Sequence, residues 1–177
     1  MIDYLKVRAE YQPSTIKTLL IGEAPPPNGK TYFYLPKLMS LGKSVRDDTS
    51  LPATIFNHYF HKRPETLEQY KAYLNTLEMH GIYLIDIIDE PKRIRGNKEN
   101  EEYLISKIPF LKEKIESRGL VIEEENWIFL LARNSYKKHL KKHYPLSTKI
   151  RWIDFRMDTS YPILLPLEDE ENAHERS

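Results

Sequence analysis

Two acidic residues stand at the ends of apolar runs, where a carboxyl group can meet a ligand. Glu23 follows Thr18-Leu19-Leu20-Ile21-Gly22, and Asp86 closes Ile82-Tyr83-Leu84-Ile85. A carboxylate in such a place can orient water, accept a proton or bind the polar edge of a ligand. It can equally cap loop amides or pair with a nearby base. Gly22 and Pro25 shape the turn around Glu23 and let a ligand approach the backbone across Ala24. Downstream, Tyr32, Phe33 and Tyr34 offer rings on which a flat ligand could stack, or apolar area to fill a core.

A second kind of chemistry is suggested by charge. Arg133, Lys137, Lys138, Lys141, Lys142, Lys149 and Arg151 follow one another with no acid between them. Such a stretch is either a solvated surface or a phosphate-binding face. Arg133, Ser135, Lys137 and Lys141 are the candidates for holding phosphates. His58 and His61 share a helical spacing that could grip a metal, but no third ligand accompanies them, so no metal site is expected.

The elements that must position these residues are legible as a pattern. Residues 2–11 read as a short helix, ended at Pro13. Apolar runs at 18–21, 82–89, 127–132, 150–155 and 163–167 read as strands. Helices are expected over 51–62, 65–80, 100–118 and 135–143, with Ser135 as a cap for the last. On that last helix Tyr136, Leu140 and Tyr144 fall on one face. The proline-rich stretch 23–37 is a loop. Strands alternating with helices imply an α/β fold, a largely parallel sheet with helices on both faces. Ligands then bind beyond the carboxyl ends of the strands, which gathers 22–36, 86–97, 132–136 and 166–168.

Composition narrows the classes. The chain has 177 residues, 40% of them hydrophobic and 30% charged, which suits one domain over 1–167. Residues 168–177 begin with Glu168, Asp169, Glu170 and Glu171 and read as an acidic, flexible tail. No apolar stretch is long enough to cross a bilayer, so no membrane partner is expected. With no cysteine in the chain, disulfides and Cys-ligated zinc or iron–sulfur clusters are excluded. A reducing, cytoplasmic compartment is the simplest expectation.

Leu19-Leu20-Ile21-Gly22-Glu23-Ala24-Pro25 resembles the first motif of the uracil-DNA glycosylase superfamily, in the branches that carry Gly-Glu-Ala-Pro-Gly after the first strand. The similarity continues through Leu84-Ile85-Asp86-Ile87-Ile88-Asp89-Glu90-Pro91, Ile108-Pro109-Phe110-Leu111 and the apolar run 127–132, covering roughly residues 16–145 in order. The resemblance implies a three-layer α/β/α sandwich around a mainly parallel four-stranded sheet. It implies hydrolysis of an N-glycosidic bond in DNA, without a cofactor, after a base has been flipped into a pocket. Glu23 and Asp86 become the catalytic candidates, and Gly22, Ala24, Pro25, Tyr32, Phe33 and Tyr34 the base-binding ones. The partner is DNA or a nucleotide-like ligand.

The chain also departs from that pattern. Ala24 stands where other branches have a water-activating Asp, and Asp86 where an Asn reads the base. An ionised Asp only accepts hydrogen bonds, which suits a base edge bearing amino donors. Pro166-Leu167-Glu168 lacks the histidine of the family's His-Pro-Ser loop, and His143-Tyr144-Pro145-Leu146-Ser147 only echoes it. A module of the same fold that binds a nucleotide or DNA without turnover is therefore the alternative.

A third reading takes Ala24-Pro25-Pro26-Pro27-Asn28-Gly29-Lys30-Thr31 as a phosphate loop. Such loops work by aiming successive backbone N–H groups at an anion, and three consecutive prolines remove three of them. Triphosphate binding should accordingly be weak, and Lys30→Ala should leave it unchanged. Calorimetry with magnesium ATP and GTP checks this. Micromolar, magnesium-dependent binding lost in the variant would restore the NTPase reading.

Overall fold

In the computed structural model four parallel strands form a single sheet in the order β2-β1-β3-β4. Residues 2–27, 32–36, 51–122, 126–130, 136–145, 147 and 149–153 are described here, without the side chains of 137, 152 and 153. The strands are β1 (Thr18–Gly22), β2 (Ile82–Asp86), β3 (Trp127–Leu130) and β4 (Ile150–Ile153). The helices are α1 (Tyr4–Ala9), α2 (Leu51–Phe60), α3 (Leu67–Met79), α4 (Lys98–Lys107), α5 (Leu111–Ser117) and α6 (Lys137–His143). The expected run 163–167 lies outside the described residues, as does the acidic tail.

The α/β class and the parallel sheet read from the sequence are both present. Leu19, Leu20 and Ile21 are fully buried because β1 is flanked by β2 and β3, and helices cover both faces. From β1 the chain crosses to β2 through α2 and α3; from β2 it crosses back past β1 to β3 through α4 and α5. Right-handed crossovers running in opposite directions set these two groups of helices on opposite faces. α3 packs on β2, while α4, α5 and α6 all meet the 3-10 turn Ile108–Phe110.

The expected helix over 100–118 is instead two helices joined by that turn. Pro109 has no N–H to donate to the preceding turn, so α4 stops with Ile108 N–H bonded to Ile105 O. The amphipathic reading of α6 is met: Tyr136, Leu140 and Tyr144 are buried, while Lys138, Lys141 and Lys142 are exposed. Its N-cap is Tyr136, with no side-chain cap bond, and Ser135 lies outside the described residues.

β2 is an edge strand, yet all five of its residues are buried. Tyr32, Phe33 and Tyr34 are among the residues that cover it. The Tyr34 hydroxyl accepts from the outward Leu84 N–H at 2.7 Å, supplying the partner that an adjacent strand would have given. Tyr34 stacks on Tyr11, and Phe33 packs on Phe56, which meets Tyr70 edge-on at 4.8 Å. Tyr70 in turn donates to Phe33 O at 2.7 Å. Tyr34→Phe keeps the ring and strands a buried amide, so it should cost about 1–3 kcal/mol in chemical denaturation. A loss below a few tenths would mean that this hydroxyl does not close the edge.

Candidate functional site

The sheet register brings the two strand ends together. Gly22 pairs with Asp86, and a Cβ on residue 22 would lie 2.8 Å from Asp86 Oδ1. A side chain at position 22 would thus force the Asp86 carboxyl group to shift. Beyond the strands the two loops remain joined. Ile87 N–H donates to Gly22 O, Ile88 N–H to Glu23 O and Lys92 N–H to Pro25 O, at 3.0, 3.0 and 3.1 Å. Tyr4 Oη donates to Pro26 O at 2.7 Å. Gly22, Glu23, Ala24, Pro25 and Asp86 therefore form one ordered edge. Connections leave β1 and β3 toward opposite sides of the sheet, so Glu23 stands at the topological switch point, where open α/β sheets bind ligands.

Asp86 is only 5% exposed. Burial pushes its carboxyl group up to about 7, against the pull of Arg8 and Lys114, and with further push from Asp89 and Glu23. Charges, not hydrogen bonds, oppose the burial. Arg8 reaches this place from α1 and is itself 5% exposed. Although burial works against its charge, Tyr83, Asp86, Tyr32 and Asp89 hold the guanidinium firmly protonated. Its centre stands 5.9 Å from the Tyr83 ring.

Asp89, one turn of chain further on, gathers the cations. Lys114 Nζ lies 2.8 Å from Asp89 Oδ1, Arg118 is 2.5 Å from Oδ2, and Arg8 is 3.7 Å from Oδ1. Lys114 also donates to Asp86 O and Ile87 O at 2.5 and 3.2 Å. Burial lowers its affinity for a proton, partly offset by the bond to Asp89. Arg8, Asp89, Lys114 and Arg118 were not candidates from sequence. They come from separate elements, and nothing local in any of them marks a polar cluster.

The aromatic candidates have a different role from the expected stacking face. Tyr32, Phe33 and Tyr34 are 4%, 2% and 2% exposed, and their rings contact Tyr4, Phe56, Tyr11 and Tyr83. Tyr32 Oη donates to Tyr4 O at 3.3 Å. All three are core residues, because the edge of β2 needs cover more than the loop needs display.

Of the phosphate candidates, Arg133 and Ser135 lie outside the described residues, as does the Lys137 side chain, and Lys141 is exposed on α6. The echo of a His-Pro-Ser loop is at the wrong end of the sheet. Tyr144 donates to Ile108 O at 3.0 Å, and Ser147 Oγ accepts from the Lys149 and Ile150 amides, both at 3.1 Å. Those bonds prepare the start of β4, opposite the edge that holds Gly22. His61 sits just past α2 in a left-handed conformation (φ 58°), and no group of three or more metal-ligating side chains occurs among the described residues. No described helix is long and apolar enough to cross a membrane. No protein-family model, no curated protein and no solved structure matches the chain.

The Asp86 environment makes stability depend on pH in a defined direction. Its folded value, about 7, lies above the ordinary 3.8, so between those values the folded state holds a proton that the unfolded chain has released. Stability from this group is greatest below pH 4, falls as pH rises through the window and levels off above 7. Asp86→Asn should remove that slope and stabilise the protein at pH 8 by up to roughly 4 kcal/mol relative to the parent. Urea midpoints of both proteins at pH 5 and 8 check it. An unchanged difference between the two proteins across that range would disprove a neutral buried Asp86.

Proposed function

We propose that the chain acts on or recognises a nucleobase in DNA, as a uracil-DNA glycosylase-like protein. The observation that carries this reading is the pair of carboxyl groups at the adjoining carboxyl ends of β1 and β2. Asp86 is buried against Gly22, and the charge of Glu23 reaches it. A carboxyl group pushed toward its neutral form beside a second carboxyl group can divide the roles of donor and base. A neutral Asp86 presents an O–H and a C=O side by side. That pattern pairs with a base edge in which a carbonyl adjoins an N–H, as in uracil. It reverses the preference for amino donors expected of an ionised Asp86.

In the reaction Glu23 orients a water and accepts its proton. The water oxygen bonds to the sugar C1′ as the C1′–N bond breaks. The electron pair leaves with the base, whose carbonyl is stabilised by the Asp86 O–H.

Binding without turnover is the second reading, favoured by the placement of the His143–Ser147 segment at the opposite edge of the sheet. The NTPase reading is the weakest. Pro25 O and Pro26 O are already bonded to Lys92 and Tyr4, and residues 32–36 are turns where a phosphate-loop helix would run.

Alkaline cleavage of oligonucleotides bearing deaminated or alkylated bases tests the proposal. The parent should give strand breaks at a lactam base such as uracil, more at pH 6 than at pH 8. Glu23→Gln should reduce them at least a hundredfold, in the range of general-base losses. Affinity for the modified oligonucleotide without product would establish the binding module instead. Neither affinity nor product would reject both readings.

A further inference from the structure

Immediately past the site the chain reads Lys92-Arg93-Ile94-Arg95-Gly96-Asn97-Lys98. This loop is pinned along its length. Lys92 N–H donates to Pro25 O at 3.1 Å, which ties it to the first motif. Ile94 is 5% exposed and belongs to the core. Asn97 N–H donates to Ile94 O at 3.1 Å, closing a turn in which Gly96 takes φ 76°. Arg93 O accepts from Asn100 Nδ2 at 2.8 Å, and Asn97 Oδ1 caps α4 by accepting from Asn100 N–H at 3.0 Å.

With the backbone fixed and Ile94 turned inward, Arg93, Arg95 and Lys98 are left exposed. None of the three makes an ion pair among the described residues; the ion pairs at this end of the sheet converge on Asp89. The first acids to follow, Glu99 and Glu101, sit in the first turn of α4, where a helix's own amides attract negative charge. Lys92 lies over the Tyr103 ring at 5.1 Å, with Lys107 at 5.2 Å. Charges needed only for solubility have no reason to sit on a loop anchored at this many points. Exposed guanidinium groups with no acid partner among the described residues, carried on an anchored backbone, suit an anion that arrives from outside, and their forked donors match phosphate oxygens.

We propose that Arg93, Arg95 and Lys98 form a contact surface for the sugar–phosphate backbone of the nucleic-acid strand whose base enters at Gly22–Pro25. This rests on the nucleobase reading above and adds to it a surface on the opposite side of β1 from the basic helix α6. The contacts are to phosphate, so they position the strand and carry no sequence preference.

The test is the double variant Arg93→Gln with Arg95→Gln, titrated with a fluorescent oligonucleotide over a series of salt concentrations. Each lost phosphate contact lowers the slope of log K against log salt by about 0.7–0.9, so the double variant should lose roughly 1.4–1.8 from the parent slope. Affinity at low salt should fall at least tenfold and equally for unrelated sequences, with thermal unfolding unchanged. Arg93→Lys with Arg95→Lys should keep the slope, which separates lost charge from altered folding. If the glutamine pair does not fold, Arg95→Gln alone should lose half as much slope. A folded double variant with the parent's slope overturns this surface, while abasic product from the parent would leave the nucleobase reading standing. A lower slope without product supports the surface and rejects turnover. Binding to anionic vesicles but to no oligonucleotide overturns both.

Discussion

The closing of β2's free end is the constraint on which the site depends. A strand at the edge of a parallel sheet leaves alternate backbone groups facing outward, and here that edge is buried. Lys114 and Tyr34 between them answer the Asp86 carbonyl and the Leu84 amide. Lys114 can sit there only because Asp89 faces it, and Asp89 can be half-buried only because Arg8 and Arg118 share its charge. Removing one cation leaves a partly buried carboxylate short of a partner, so the cluster stands or falls as a unit.

Within that frame Asp86 is the exception. Asp89 nearby is paired with Arg8, Lys114 and Arg118, while the Asp86 carboxyl group is buried and opposed by charges at a distance. Such a group works against folding at neutral pH. Its presence beside a glycine that yields it space is the arrangement expected where local stability has been given up for chemistry. The neighbouring polar cluster ties the strand end down through the Lys114 bond to Asp86 O.

Much of this was legible in the sequence, for reasons that can be named. The apolar runs ending at Gly22 and Asp86 carry no period-two alternation, and a parallel sheet covered on both faces is what such runs form. Gly22, Glu23 and Asp86 could be placed at one edge from the strand ends alone. The break at Ile108–Phe110 was underestimated although Pro109 announced it. The sequence leaves the aromatic loop open between display and core, because it does not say which strand is the edge; with β2 outermost among the described strands, Tyr34 has an amide to satisfy. The Arg8–Asp89–Lys114–Arg118 cluster was out of reach, since its members come from α1, the loop after β2, and the end of α5. That Arg93 and Arg95 face solvent together is not legible in the sequence, because it depends on Ile94 turning inward.

The strand order also governs how the chain emerges from the ribosome. β1 lies in the middle of the sheet, and both of its neighbours are made later. At about 5–20 residues per second, the Leu19-Leu20-Ile21 run waits several seconds for β2 and longer for β3. During that interval the native cover already synthesised is α1, the proline-rich loop and, as they emerge, α2 and α3. A nascent chain stalled before residue 82 therefore carries an unpaired, wholly apolar strand, a target for chaperones and for other nascent chains alike.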